Sequence, residues 1–252
     1  MALSDLGILG STPVVKNNSS LTTTDPTDVF EFKITDASNI NLSLTNISAG
    51  DDADIALFRD ANNNGVLDSF DRNVGLFSAR ALNQDDAINF KTSSGTFFAE
   101  VSRFASSSGD VSYDLALSAT KPSGTIPVSD SSSNLLPKEF IIDNLLAVGN
   151  VTRTGNVSNT NTTDVYSFSL ARLERVDIRL DGLSSDADIR VIRDSNNNRI
   201  VDAGEVIASS SRGGITPEQL VVDGRGDYFL QVTEFTGSTN YNVNFNSTII
   251  PT

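Results

Sequence analysis

An internal duplication constrains the fold of this chain more than any other feature. Thr27-Asp28-Val29-Phe30-Glu31-Phe32 is answered by Thr163-Asp164-Val165-Tyr166-Ser167-Phe168. Ile40, Leu42 and Leu44 are answered by Val176, Ile178 and Leu180. Asp52-Ala53-Asp54-Ile55 returns as Asp186-Ala187-Asp188-Ile189. The stretch Gly95-Thr96-Phe97-Phe98 with Val101 returns as Gly226-Asp227-Tyr228-Phe229 with Val232. Tyr113, Leu115 and Leu117 return as Tyr241, Val243 and Phe245. The period is too long for a solenoid and predicts two domains.

Within each copy the apolar residues alternate with polar ones over short runs bounded by Gly, Asn, Asp and Ser, the signature of half-buried strands. Further runs fall at Val74, Leu76 and Phe77 and at Ile88 and Phe90. About seven or eight such strands per copy, with no amphipathic helical pattern, predict an all-β fold. The expectation is two tandem antiparallel β-sandwich domains of jelly-roll or Ig-like type, each burying its alternating Phe, Ile, Leu and Val between two sheets. The first domain spans residues 1–120. Residues 121–138 carry three prolines and a serine cluster and are expected to be a linker. The second domain spans residues 139–252. Residues 1–27 are mostly polar and end in a turn-rich stretch.

Between two of the repeated strands lies Asp60-Ala61-Asn62-Asn63-Asn64-Gly65-Val66-Leu67-Asp68-Ser69-Phe70-Asp71. Counted from Asp60, oxygen-bearing side chains stand at positions one, three, five, nine and twelve, with glycine at six. This is the spacing of a twelve-residue calcium loop, in which position seven gives a backbone carbonyl. The second copy carries Asp194-Ser195-Asn196-Asn197-Asn198-Arg199-Ile200-Val201-Asp202-Ala203-Gly204-Glu205 at the equivalent place. Calcium takes six to eight oxygens in a flexible cage, and a short curled loop supplies them. The expected ligands are Asp60, Asn62, Asn64, Val66, Asp68 and Asp71 in the first domain. In the second they are Asp194, Asn196, Asn198, Ile200, Asp202 and Glu205. That makes two Ca2+ sites, one per domain. Without a cation the three carboxylates of each loop repel one another. Asp71 is one methylene shorter than the usual closing Glu, and Arg199 replaces the glycine of the sharp turn at a cost of about 1 kcal/mol. Affinity is therefore expected on the order of 10⁻⁴–10⁻³ M, as in extracellular modules. The alternative is a polar Asn/Asp hairpin that holds no ion.

Composition narrows the function. The formal net charge is −14, from 18 basic and 32 acidic residues, which argues against nucleic acid and anionic lipid as partners. The chain has no Cys, His or Trp. Disulfides and thiolate metal sites are excluded, and so are the ordinary Ser-His-Asp and Cys-His catalytic arrangements. The acid pairs have metal spacing rather than a sugar platform, so a glycosidase is not expected. No run approaches the roughly 18 apolar residues of a membrane span. Met1-Ala2-Leu3-Ser4-Asp5 lacks a basic region followed by an apolar one, so no secretory signal is visible.

Asp52, Asp54, Asp186 and Asp188 precede the loops, where they either support the ligands or start a strand. The structural role is preferred, as it is for Asp28 and Asp164 at the first repeated strand. Arg225-Gly226-Asp227 is read as part of the turn pattern rather than a receptor motif.

The ordered series of Asp-Val-Phe/Tyr-x-Phe, Asp-Ala-Asp-Ile, Gly-Thr-Phe-Phe or Gly-Asp-Tyr-Phe, and a Tyr-led final strand resembles the bacterial pre-peptidase C-terminal domain family. It does so over roughly 28–118 and 164–246. The resemblance implies small β-sandwiches appended to secreted proteases and other exported proteins, with non-catalytic roles in substrate or surface binding. Most members have a plain hairpin where this chain has a loop similar to those of EF-hands and dockerins. The reading is a non-catalytic, secreted or cell-surface calcium-binding module for adhesion to a surface protein or polysaccharide. The rival reading is an accessory targeting or chaperone-like module for a secreted protease.

Overall fold

The computed structural model describes residues 3–106, 109–122, 133–142, 145 and 149–250. The chain divides into two compact units. The first comprises residues 1–122 with Ser133–Pro137, and the second contains the chain from Lys138 to Thr252. Of the expected linker, residues 123–132 lie outside the described residues. Ser133–Pro137 group with the first unit, where Asn134 accepts a hydrogen bond from Ser118 and donates one to the Ser11 carbonyl.

Among its described residues the first unit has nine strands: β1 (Leu3–Ile8), β2 (Val14–Leu21), β3 (Thr27–Ile34), β4 (Ser38–Thr45), β5 (Asp52–Arg59), β6 (Leu76–Ser78), β7 (Asp86–Thr92), β8 (Gly95–Ala105) and β9 (Val111–Thr120). They form two sheets, ordered β1-β3-β8-β5-β6 and β2-β9-β4-β7. The second unit follows with β10 (Phe140–Ile142), β11 (Asn150–Val157), β12 (Thr163–Leu170), β13 (Glu174–Asp181), β14 (Ala187–Ile192), β15 (Val206–Ser210), β16 (Glu218–Asp223), β17 (Gly226–Glu234) and β18 (Thr239–Ile249). Its sheets, β10-β12-β17-β14-β15 and β11-β18-β13-β16, repeat the order of the first unit strand for strand. Pairing is antiparallel except at β1 with β3 and β10 with β12. The fold is all-β, as the alternation predicts.

The pleat explains the cores. In β13 the inward residues Val176, Ile178 and Leu180 are buried, while Arg175, Asp177 and Arg179 face out. In β4 Ile40, Leu42 and Leu44 are buried in the core, and the alternating Asn39, Asn41 and Ser43 are buried as well. Phe32 of β3 stacks on Phe97 of β8 with ring centroids 5.9 Å apart, and Phe168 of β12 stacks on Tyr228 of β17 at 5.5 Å. Such pairs add about 0.5–1.5 kcal/mol beyond the area they bury. A smaller apolar group, Val29, Ala56, Phe58 and Phe98, lies on the other face of the β1-β3-β8-β5-β6 sheet. Leu67 packs on it.

Candidate metal centre

The first twelve-residue loop leaves β5 after Arg59 and ends in a 3-10 turn, Asp71–Val74, just before β6. Asp60 is pinned to the sheet by its backbone N–H, which donates to the Thr96 carbonyl at 3.0 Å. Its carboxylate accepts the backbone N–H groups of Asn64 at 3.1 Å and Gly65 at 2.9 Å. Asn62 Oδ1 accepts the N–H of Asn64 at 3.1 Å, and Asn64 Oδ1 accepts the N–H of Val66 at 2.8 Å. These are Asx turns, the local bond that Asn and Asp make two residues on. The curl needs left-handed backbone at Asn63, φ 57°, and Gly65, φ 72°. Asn tolerates that region, and glycine adopts it without a Cβ penalty.

Asp71 closes the loop. It is 0% exposed and accepts the N–H of Ala61 at 2.9 Å and of Asp68 at 3.2 Å. Asp68 accepts the side-chain amides of Asn62 and Asn64, both at 3.0 Å, and the N–H of Phe70 at 2.7 Å. The Phe70 N–H, followed by the Asn62 amide, holds the Asp68 carboxyl below its ordinary range. Two further contacts seat the loop on the sheet. Leu67 packs against the Phe58 group, and Arg72 pairs with Glu100 of β8 while lying 5.2 Å from the Phe58 ring centroid.

The second loop, between β14 and β15, repeats most of these bonds. Asp194 accepts the N–H of Asn198 at 3.2 Å and of Arg199 at 2.9 Å. Asn196 accepts the N–H of Asn198 at 3.0 Å, and Asn198 accepts that of Ile200 at 2.8 Å. Asp202 accepts the amides of Asn196 at 2.8 Å and Asn198 at 2.9 Å. Glu205 is 5% exposed and accepts the N–H of Ser195 at 2.8 Å and of Asp202 at 2.9 Å. The Ser195 hydroxyl adds a bond of 2.9 Å that the first loop lacks. Burial pushes the Glu205 carboxyl up, yet these donors outweigh it and the net shift is downward. Arg199 takes the turn position at φ 58°, where the first loop has Gly65. A side chain there strains the backbone, and the bond from its N–H to Asp194 opposes that strain.

The loops carry carboxylate and amide oxygens, the donor type that a hard cation takes, here engaged with the loop's own N–H groups. A carboxylate offers about four acceptor sites and an amide oxygen two. Asp60, Asp71 and their counterparts each keep lone pairs beyond the N–H groups they hold, and so does each Asn oxygen. Val66 and Ile200, expected to present backbone carbonyls, stand at the turn beside them. The amide nitrogens of the Asn pair point at the ninth-position carboxylate. Among the described residues, no group of three or more Asp, Glu, His or Cys side chains is disposed to hold a metal ion. Any cation here would draw on amide and backbone oxygens as much as on carboxylates.

The acids outside the loops have other roles. Asp28 accepts the buried Tyr113 hydroxyl at 2.6 Å, and Asp164 accepts that of Tyr241. Each thus ties the first repeated strand of one sheet to the last strand of the other. The recurrence of Asp with a Tyr-led final strand was the available signal for that pairing. The hydrogen bonds described for the loops include neither Asp54 nor Asp188. Asp227 lies in β17 and accepts the Ser169 hydroxyl at 2.6 Å, so the Arg-Gly-Asp stretch runs into a strand. Among the described residues, no helix is long and apolar enough to cross a membrane.

No curated protein matches the chain. Among solved structures, the pre-peptidase C-terminal domain of collagenase from Bacillus anthracis is 21% identical, covering 47% of this chain and 94% of that one with a TM-score of 0.32. PliG of Aeromonas hydrophila, a periplasmic inhibitor of g-type lysozyme, is 15% identical over 43% of this chain and 96% of its own, also with a TM-score of 0.32. The PBSX exported protein XepA is 9% identical over 94% of this chain and 86% of its own, with a TM-score of 0.28. Residues 162–234, inside the second unit, match the bacterial pre-peptidase C-terminal domain family, and this stretch of the chain is one such domain.

Proposed function

We propose that the chain is a non-catalytic pair of calcium-stabilised β-sandwich modules that works outside the cell and attaches to a surface protein or polysaccharide. The observation that carries this reading is the agreement between the loops. Two twelve-residue segments of different sequence, at the same place in two units, share most of their backbone and amide bonds around the carboxylates. Asp60, Asn62, Asn64, Val66, Asp68 and Asp71 hold one calcium ion, and Asp194, Asn196, Asn198, Ile200, Asp202 and Glu205 hold the other. Calcium neutralises the clustered charge and locks each loop to its sheet. At 100 times its dissociation constant it stabilises the folded state by about 2.7 kcal/mol.

Lack of histidine and cysteine, with a pre-peptidase C-terminal domain in the second unit, supports a binding rather than a catalytic role. A ligand has a candidate seat on the outer face of the β11-β18-β13-β16 sheet, where Asp177, Arg179, Gln219, Val221, Asn244 and Asn246 line a cleft of about 380 Å³ whose accessible surface is mostly apolar. Thermal unfolding of chelated protein, with and without millimolar calcium, tests the metal's role. A higher midpoint is expected, and an unchanged one refutes it.

The family match also favours a second reading, an accessory module of a secreted protease. Affinity capture from culture medium separates the two. The accessory reading requires a co-purifying protease, and the attachment reading requires none.

A further inference from the structure

The two loops form a matched pair that differs at its sixth position. That position is Gly65 in the first loop and Arg199 in the second, and each follows an asparagine. Asn64-Gly65 is the one Asn-Gly pair in the chain. An asparagine loses its side-chain nitrogen when the backbone nitrogen of the next residue attacks Cγ. A Cβ on that next residue crowds the attack, and glycine has none.

In the first loop two contacts favour the attack and one restrains it. The Gly65 N–H, the attacking group, donates to Asp60 Oδ2 at 2.9 Å, so a carboxylate stands where its proton departs. Asn64 Oδ1, where negative charge gathers as Cγ becomes tetrahedral, accepts the Val66 N–H at 2.8 Å. The Asx turn closed by that bond folds the side-chain carbonyl back over the peptide between Asn64 and Gly65. The departing nitrogen, Asn64 Nδ2, is restrained by its bond to Asp68 Oδ2 at 3.0 Å. Asn64 is exposed, so water reaches it. The second loop has the same three contacts. The Arg199 N–H donates to Asp194 Oδ2 at 2.9 Å, the Ile200 N–H to Asn198 Oδ1 at 2.8 Å, and Asn198 Nδ2 to Asp202 Oδ2 at 2.9 Å. Asn198 is exposed as well. The contrast between the loops therefore isolates the Arg199 side chain.

We propose that Asn64-Gly65 is a site of spontaneous deamidation in the folded chain, and that Arg199 spares the counterpart Asn198. Gly65 N bonds to Asn64 Cγ, the bond from Cγ to Nδ2 breaks, and the proton of Gly65 N leaves with that nitrogen as ammonia. The cyclic imide that remains takes up one water and opens at either carbonyl. Cleavage at Cγ gives aspartate. Cleavage at the backbone carbonyl gives isoaspartate, which has one more methylene in the main chain. Nothing is oxidised or reduced. Aspartate places a carboxylate oxygen where the amide nitrogen stood, 3.0 Å from Asp68 Oδ2, so a hydrogen bond becomes a repulsion. Isoaspartate lengthens the chain just before the Gly65 turn. Ageing thus loosens the first loop and leaves the second intact.

Peptide mapping by mass spectrometry of the full chain, aged in chelator at mildly alkaline pH, tests this without any part for the metal. Asn64 is expected to exchange NH2 for OH at least about tenfold faster than Asn198, with aspartate and isoaspartate resolved as separate products. The double exchange of Gly65→Arg with Arg199→Gly is expected to reverse the order. Each loop already shows that its new residue takes the required backbone, with Gly65 at φ 72° and Arg199 at φ 58°. An Asn64 that stays intact in the folded chain overturns the proposal, as does equal conversion of Asn64 and Asn198. An order that the exchange leaves unchanged overturns the role of Arg199. The first comparison uses the unaltered chain, so it decides the matter even where the variant does not fold.

Discussion

Replacing Glu205 by Gln tests how the second loop is held. One oxygen of the carboxylate accepts the Ser195 N–H and hydroxyl, and the other accepts the Asp202 N–H. The amide of E205Q keeps a single acceptor oxygen and turns an NH2 group toward whichever side it abandons. If the oxygen stays with Ser195, the Asp202 N–H faces a donor; the reverse orientation leaves the two Ser195 groups without an acceptor. Glu205 is 5% exposed, so water replaces the lost acceptor poorly. A buried donor left unsatisfied costs about 1–3 kcal/mol, and the bonds lost here are to a charge. We expect a loss of about 2 kcal/mol, or roughly 5–10 °C in the unfolding midpoint for a unit of this size. Urea and thermal unfolding in chelator measure it without any contribution from metal. A change within about 0.5 kcal/mol, the level of an ordinary surface substitution, would show that this carboxylate does not hold the loop.

Other expected outcomes follow from the same structure. Gly155→Ala places a Cβ against the Tyr241 hydroxyl and 2.8 Å from the Asp164 carboxylate, and should lower stability by about 1–3 kcal/mol in chemical denaturation. Phe97→Ala empties a fully buried site beside Phe32 and should cost about 3–5 kcal/mol by the same assay. The folded-state carboxyls of Asp68 and Glu205 are held low, so their contribution is present above about pH 4.3 and is lost as pH falls through their folded values. Asp188, raised to about 7 chiefly by burial, has the opposite sign: its contribution is whole below about pH 4 and is lost as pH rises through about 7. Asp188→Asn should accordingly stabilise the chain at about pH 8 by about 1–2 kcal/mol, after allowance for solvent screening, and make little difference near pH 4.

The strands legible in the sequence are those whose inner face is plainly apolar. Ile40, Leu42 and Leu44 announce β4, and Tyr113, Leu115 and Leu117 announce β9. The strands that escaped lie at sheet edges. β2, Val-Val-Lys-Asn-Asn-Ser-Ser-Leu, and β11, Asn-Val-Thr-Arg-Thr-Gly-Asn-Val, are mostly polar and partly exposed, so pairing with β9 and β18 makes them strands where periodicity does not. β1 is held in parallel pairing with β3, a long-range partner invisible to local patterning. The loops were legible as spacing, because Asx turns and left-handed Asn and Gly are local chemistry. Their anchors were not, since Leu67 on Phe58 and Arg72 on Glu100 join residues that only the sheet brings together.

Titration calorimetry of the chelated full chain with calcium tests the central claim most directly, with Asp60→Ala and Asp194→Ala alongside. The account predicts two binding events per chain with dissociation constants on the order of 10⁻⁴–10⁻³ M, and the loss of one event in each variant. Heat that neither substitution alters, or no heat at all, would contradict it.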